Sequence, residues 1–182
     1  MLTILLAKGD AVAPPPAATT AVTETLTNPV VELLLATLIL VPVIVIHGWC
    51  LGRVSKFFSG RFALFTSETA AWQVSLLTGT TIAILVIIHL METLLWTVPL
   101  TELGMIDNFR DAYYYVLEAY TTLGEGNVAL PDAWRLVGPI IAISGLFTFG
   151  WTGSVLVYVM TEVGKFHAAR SKDAAARAAA KT

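Results

Sequence analysis

The amino-acid sequence predicts an all-α membrane protein: three membrane-spanning helices, with a shorter helix and a glycine-alternating loop between the second and third. Three observations carry this. Of the 182 residues, 13% are charged and 56% hydrophobic, whereas soluble domains carry about 25% charged residues. Crossing a bilayer core about 30 Å thick takes roughly 20 apolar residues of helix, and windows 30–51, 72–100 and 136–160 qualify. Lys and Arg gather on alternate sides of those windows, as retention of basic residues on the cytoplasmic side requires. An ordinary soluble enzyme is excluded, and so is a nucleic-acid partner, because there is no basic face to neutralise phosphates. The lone Cys50 closes no intramolecular disulfide and has no metal-spaced partner.

The elements follow in order. Residues 1–28 combine a short apolar run with Pro14-Pro15-Pro16 and many threonines; Lys8 follows the run where a signal peptide needs a basic segment before it, so a flexible external arm is expected. The first span holds only Glu32 near its start and His47 near its end, and forms with its loop the unit 29–71. Loop 52–71 carries Arg53, Lys56 and Arg61 against Glu68, which places it in the cytoplasm. The second span is interrupted by His89 and Glu92, and the third holds no charge between 136 and 160. The tail, 162–182, has five basic residues against Glu162 and Asp173, hence an external N-terminus and a cytoplasmic C-terminus. Its Ala-rich composition favours helix without an apolar stripe, so it either extends the last helix or frays.

Segment 101–133 is too polar to cross a membrane and carries Glu102, Asp107, Asp111, Glu118, Glu125 and Asp132. Its middle reads as a helix of about three turns with Asn108 or Asp111 as N-cap. The helix stops at TTLGEGN (121–127), where alternating glycines permit backbone conformations that other residues avoid. A short helix followed by such a strand can set carbonyl oxygens in a row.

TTLGEGN resembles the TTVGYGD filter of the pore-loop potassium channels. The likeness extends over 110–153: the aromatic pair Tyr114 and Tyr115, the carboxylate Glu118, the filter threonines Thr121 and Thr122, Gly124 and Gly126, Trp134, Gly145, and Phe149-Gly150. Over about 30–160 the chain is also similar to a group of small bacterial ion-channel-like proteins with one helix ahead of a two-helix pore. Val45-Ile46-His47-Gly48, the stretch from His89 through Glu92 to Trp96, and LPDAWRL at 130–136 carry that likeness.

The resemblance implies a homotetramer in the bacterial inner membrane, each chain giving an extra peripheral helix and a pore domain over 72–161. The domain comprises an outer helix 72–100, a re-entrant pore helix 109–121, a filter 122–127 and an inner helix 134–161. Carbonyls of Thr122, Leu123, Gly124 and Glu125, with Gly126 completing the filter, would replace the hydration shell of permeating K+ or Na+; no other cofactor or metal is implied. Tyr114, Tyr115, Glu118, Thr121 and Asn127 would support the filter, and Gly145, Leu146, Phe149, Gly153 and Val157 would line the cavity and gate. Glu125 stands where potassium-selective relatives carry an aromatic residue, which implies reduced potassium preference. The rivals are a potassium-selective channel and a non-conducting scaffold. Glu118 and Glu125 either disfavour each other's ionisation behind the filter or are satisfied by amides and tyrosine hydroxyls. Partners beyond the bilayer and the chain itself would meet the extra helix.

Counted from the span edges at 1.5 Å per residue, His47 and His89 lie about 15 Å apart along the membrane normal, so a shared site is not expected and no two-histidine metal or enzymatic constellation is in place. His89 and Glu92, at i and i+3, are expected to brace the second span against the pore helix. His167, near Glu162, is either a pH sensor whose protonation repels neighbouring tails or a solvated histidine.

Overall fold

The computed structural model describes residues 28–124 and 126–180. Helices α1 (Pro29–Phe62), α2 (Ala71–Glu102), α3 (Phe109–Tyr120) and α4 (Val137–Ala179) follow one another, with a 3-10 turn at Asp132–Trp134. There is no strand among the described residues. α1, α2 and the segment Asp132–Ala179 are each long and apolar enough to cross a membrane, which fits a membrane-embedded protein. The arm at 1–27 lies outside the described residues.

α1 starts where Asn28 accepts a hydrogen bond from the Val30 amide at 2.9 Å and Pro29 takes the first helical position. Its buried residues Ala36, Val43, His47, Leu51, Val54 and Phe58 recur every three, four or seven positions, a single stripe. That stripe packs against both α2 and α4. The opposite face, including Leu34, Leu38, Val45 and Trp49, is exposed, as lipid contact allows. The helix continues eleven residues beyond Leu51, because Arg53, Lys56 and Arg61 end the apolar window and not the helix.

Short helix α3 lies against α2 and α4. Asn108 is its N-cap, accepting from the Arg110 amide at 2.8 Å, while Asp111 sits in the first turn. One apolar cluster joins Ala36 and Val43 of α1, Trp96 and Leu100 of α2, Ala112, Val116 and Tyr120 of α3, and Val137 and Ile141 of α4.

α4 is 43 residues long and takes the alanine-rich tail with it. The tail is tied to the α1–α2 loop: Arg170 donates to the Thr69 carbonyl at 2.9 Å, and Arg177 meets Glu68 at 2.6 Å. Arg177 holds the exposed Glu68 carboxyl below the usual carboxylate range.

The beginning of α4 has no cap from its own sequence; Glu32 of α1 supplies one. Its Oε1 accepts from the amides of Leu136 and Val137, the latter at 3.2 Å, in a site where Glu32 is 5% exposed. A carboxylate there satisfies orphan donors and complements the helix dipole. Glu32→Leu is therefore expected to cost about 1–2 kcal/mol, read as a lower thermal unfolding midpoint in detergent; an unchanged midpoint contradicts the cap.

Candidate functional site

Where α1, α2, α3 and α4 meet, five polar side chains form a closed ring. His47 Nδ1 lies 2.6 Å from Glu92 Oε1, and His47 Nε2 lies 3.3 Å from Thr152 Oγ1. Thr152 Oγ1 is 3.0 Å from His89 Nε2, and His89 Nδ1 is 3.0 Å from the Tyr120 hydroxyl. Tyr120 closes the circuit by donating to Glu92 Oε2 at 2.6 Å. His47 and Glu92 are 0% and 1% exposed, and His89 12%. Thr148 buttresses the ring 2.5 Å from the Tyr120 hydroxyl, while the His89 and Phe149 rings lie tilted against each other with centroids 4.5 Å apart.

Local sequence places each member. His47 belongs to the buried stripe of α1. His89 and Glu92 are one turn apart on α2, as are Thr148 and Thr152 on α4. Tyr120 is the last residue of α3.

Proton counting limits the states of this ring. Five hydrogen bonds need five protons. Tyr120, Thr152 and two neutral imidazoles bring four, and an ionised Glu92 brings none. A fifth proton, shared by Glu92 with a neighbour, would complete the ring and make it neutral overall. With Tyr120 donating to Glu92, the bonds then run head to tail in one direction, and the two imidazoles are protonated on opposite nitrogens, His47 on Nε2 and His89 on Nδ1. Deep in an apolar bundle, neutrality and full pairing both lower the cost of burying these groups.

This arrangement corrects the expected 15 Å separation: ligand atoms of His47, His89 and Glu92 all lie within 4.8 Å of one another. Depth has to be counted from the hairpin. His47 lies 15 residues before the end of α1 at Phe62, and His89 lies 18 after the start of α2 at Ala71. Three residues of rise are only about 5 Å. The expected contact of His89 and Glu92 with α3 is present, through Tyr120.

Tyr120 also leads into the glycine-alternating segment. Beyond α3 the Thr122 amide donates to the Ala119 carbonyl at 3.0 Å and the Leu123 amide to the Glu118 carbonyl at 2.8 Å. This is a Schellman ending with Thr122 at the left-handed position that glycine normally takes. Thr122, Gly124 and Gly126 have φ of 60°, 61° and 76°, while Leu123 between the first two does not have positive φ. The helix ending accounts for the positive φ of Thr122 but not for that of Gly124 and Gly126. Glu125 lies outside the described residues.

The other expected site residues divide. Glu118 is buried beside a cavity of about 250 Å³ that Tyr115, Thr122, Gly124 and Gly126 also line. Its Oε1 has no hydrogen-bond partner among the described residues. Tyr115 packs its hydroxyl over Gly138, Tyr114 and Asn127 are exposed, and Thr121 Oγ1 donates back to the Leu117 carbonyl at 2.7 Å. Gly145 is buried against α3: a Cβ there would stand 1.9 Å from the Tyr120 carbonyl oxygen. Leu146, Phe149 and Val157 are exposed and Gly153 half-buried. Glu162 pairs with Lys165 at 2.7 Å, and His167 packs beside Phe166.

The ring makes a testable demand. Glu92→Gln offers one acceptor and one donor in nearly the same shape, so it imitates the protonated carboxyl and should change stability by less than about 1 kcal/mol, whereas Glu92→Leu strands His47 and Tyr120 and should cost about 2–5 kcal/mol. Thermal unfolding of both variants checks this; equal losses contradict the ring. No family model, curated protein or solved structure matches the chain.

Proposed function

We propose that the chain is one subunit of a homotetrameric monovalent cation channel, with α3 as pore helix and the segment after it as filter. The observation that carries this is the left-handed backbone at Thr122, Gly124 and Gly126. Alternating left-handed residues with ordinary ones turns successive peptides the same way, so their carbonyls face one side. A row of carbonyls is what replaces an ion's hydration shell. Threonine is β-branched, and holding it at positive φ costs about 1–3 kcal/mol; the helix ending uses that position once, and Gly124 and Gly126 are left-handed beyond it.

Fourfold assembly is supported by what a single chain leaves uncovered. Thr122, Leu123, Gly124 and Gly126 are exposed, yet irregular backbone at membrane depth must be buried in protein or line a water-filled cavity. Four copies around an axis satisfy both conditions. The exposed Leu146, Phe149 and Val157 then fall on the cavity-facing stripe of α4. Gly145 serves the close approach of α3 to α4. Permeating K+ and Na+ are the substrates, and the acidic Glu125 in place of an aromatic brace weakens the preference between them. The bacterial inner membrane, with an external N-terminus, is the setting that the charge distribution and the resemblance favour.

Reconstituted protein should pass both K+ and Na+ in liposome flux, with Gly124→Ala reducing flux at least tenfold through its loss of positive φ. Absence of flux would overturn the channel assignment. Glu125→Tyr should shift the reversal potential toward potassium; strong potassium selectivity in the wild type that this substitution leaves unchanged would overturn the assignment of Glu125.

A further inference from the structure

We propose that His47, His89, Glu92 and Tyr120 form a binding site for one divalent transition-metal ion of the zinc class. The site lies within one chain and stands independently of ion conduction. Two imidazoles, a carboxylate and a phenol converge from three helices, and ligand atoms of His47, His89 and Glu92 already lie within 4.8 Å of one another. The contacts among His47 Nδ1, His89 Nδ1, Glu92 and the Tyr120 hydroxyl run from 2.6 to 3.4 Å. Tetrahedral zinc with bonds of about 2.0–2.1 Å has ligands roughly 3.4 Å apart, so small side-chain movements admit the ion.

Ring orientation distinguishes this cluster from a chance meeting of polar groups. Both Nε2 atoms face a single hydroxyl, Thr152 Oγ1, at 3.3 and 3.0 Å, which leaves both Nδ1 atoms on the side of Glu92. Metal-bound histidines are held in this way, the far nitrogen donating to an outer oxygen that fixes tautomer and tilt. Two nitrogen donors with one or two oxygens suit zinc and its neighbours; calcium and magnesium need oxygen shells. A cavity of about 200 Å³ reaches His89 and Tyr120 between Leu90, Leu117 and Phe149.

The exchange balances. The neutral ring holds five protons. With metal bound, Tyr120, Thr152 and the two Nε2–H groups retain four, so one proton leaves per ion, or two if Tyr120 binds as phenolate. Binding is therefore opposed by acid. Both imidazoles become Nε2-protonated, in contrast to the opposite tautomers of the proton-filled ring.

The test uses the full chain purified in detergent, with Zn2+ titrated calorimetrically and Co2+ followed by visible absorption. One ion per chain is expected, with the intense d–d bands of four-coordinate Co2+ and proton release seen as a dependence of heat on buffer. Glu92→Gln, which keeps the ring's hydrogen bonds, should weaken Zn2+ binding at least about 100-fold, and Thr152→Val about 10-fold, within the range for outer-sphere partners; His167→Ala should leave it unchanged. No saturable binding by the wild type, or binding indifferent to Glu92→Gln, overturns the site. X-ray absorption of the zinc-loaded wild type needs no variant: two imidazole ligands are expected, and one or none overturns it.

Discussion

Glu92 is the group around which the structure is arranged. A carboxyl 1% exposed in an apolar helix is costly unless both oxygens are occupied. One is met by His47 of α1 and the other by Tyr120 of α3. The need to satisfy one side chain thus joins three helices, and through His89 and Thr152 it reaches the fourth. The first helix is in consequence no loose addition. It contributes His47 to the centre of the bundle and Glu32 to the start of α4, two polar contacts that bracket the apolar stripe between them.

The ring also fixes where the glycine-alternating segment begins. Tyr120 has its side chain in the ring and its backbone carbonyl against Gly145, where even a methyl group would collide. Two residues later the backbone turns left-handed at Thr122. The end of α3 is therefore held from two directions just before the strained segment, which is how a local conformation costing free energy is kept in place by its surroundings. A metal ion in the ring would tighten the same anchor, since it would bond to residues of α1, α2 and α3 at once. Ion binding at the bundle centre and the geometry of the segment after α3 then share Tyr120 as a common element.

Much of the fold was legible because it rests on local signals. Window hydropathy located three spans, Asn108 and the following run announced α3, and the glycines of 121–127 announced unusual backbone. The central site was not legible, for a reason visible at His47. Hydropathy marks where a helix meets charge; it does not mark where the helix ends, and α1 continues through Arg53, Lys56 and Arg61 to Phe62. Counting from the shared hairpin would have aligned His47 with His89, and the buried stripe containing His47 was available as a second signal. Glu32 as a cap for α4 had no signal at all, because it acts across 104 positions of sequence. Thr152 joined the ring unnoticed, since one threonine among many on an apolar helix looks like any other.

Histidine tautomers report most directly on whether the ring is closed and neutral. In metal-free protein, 15N NMR of the imidazoles should find His47 and His89 protonated on opposite nitrogens, as head-to-tail bonding through Thr152 requires. Protonation of both rings on the same nitrogen in the absence of metal would contradict a closed, neutral ring, because five protons make five bonds only when the Thr152 hydroxyl accepts from one imidazole and donates to the other.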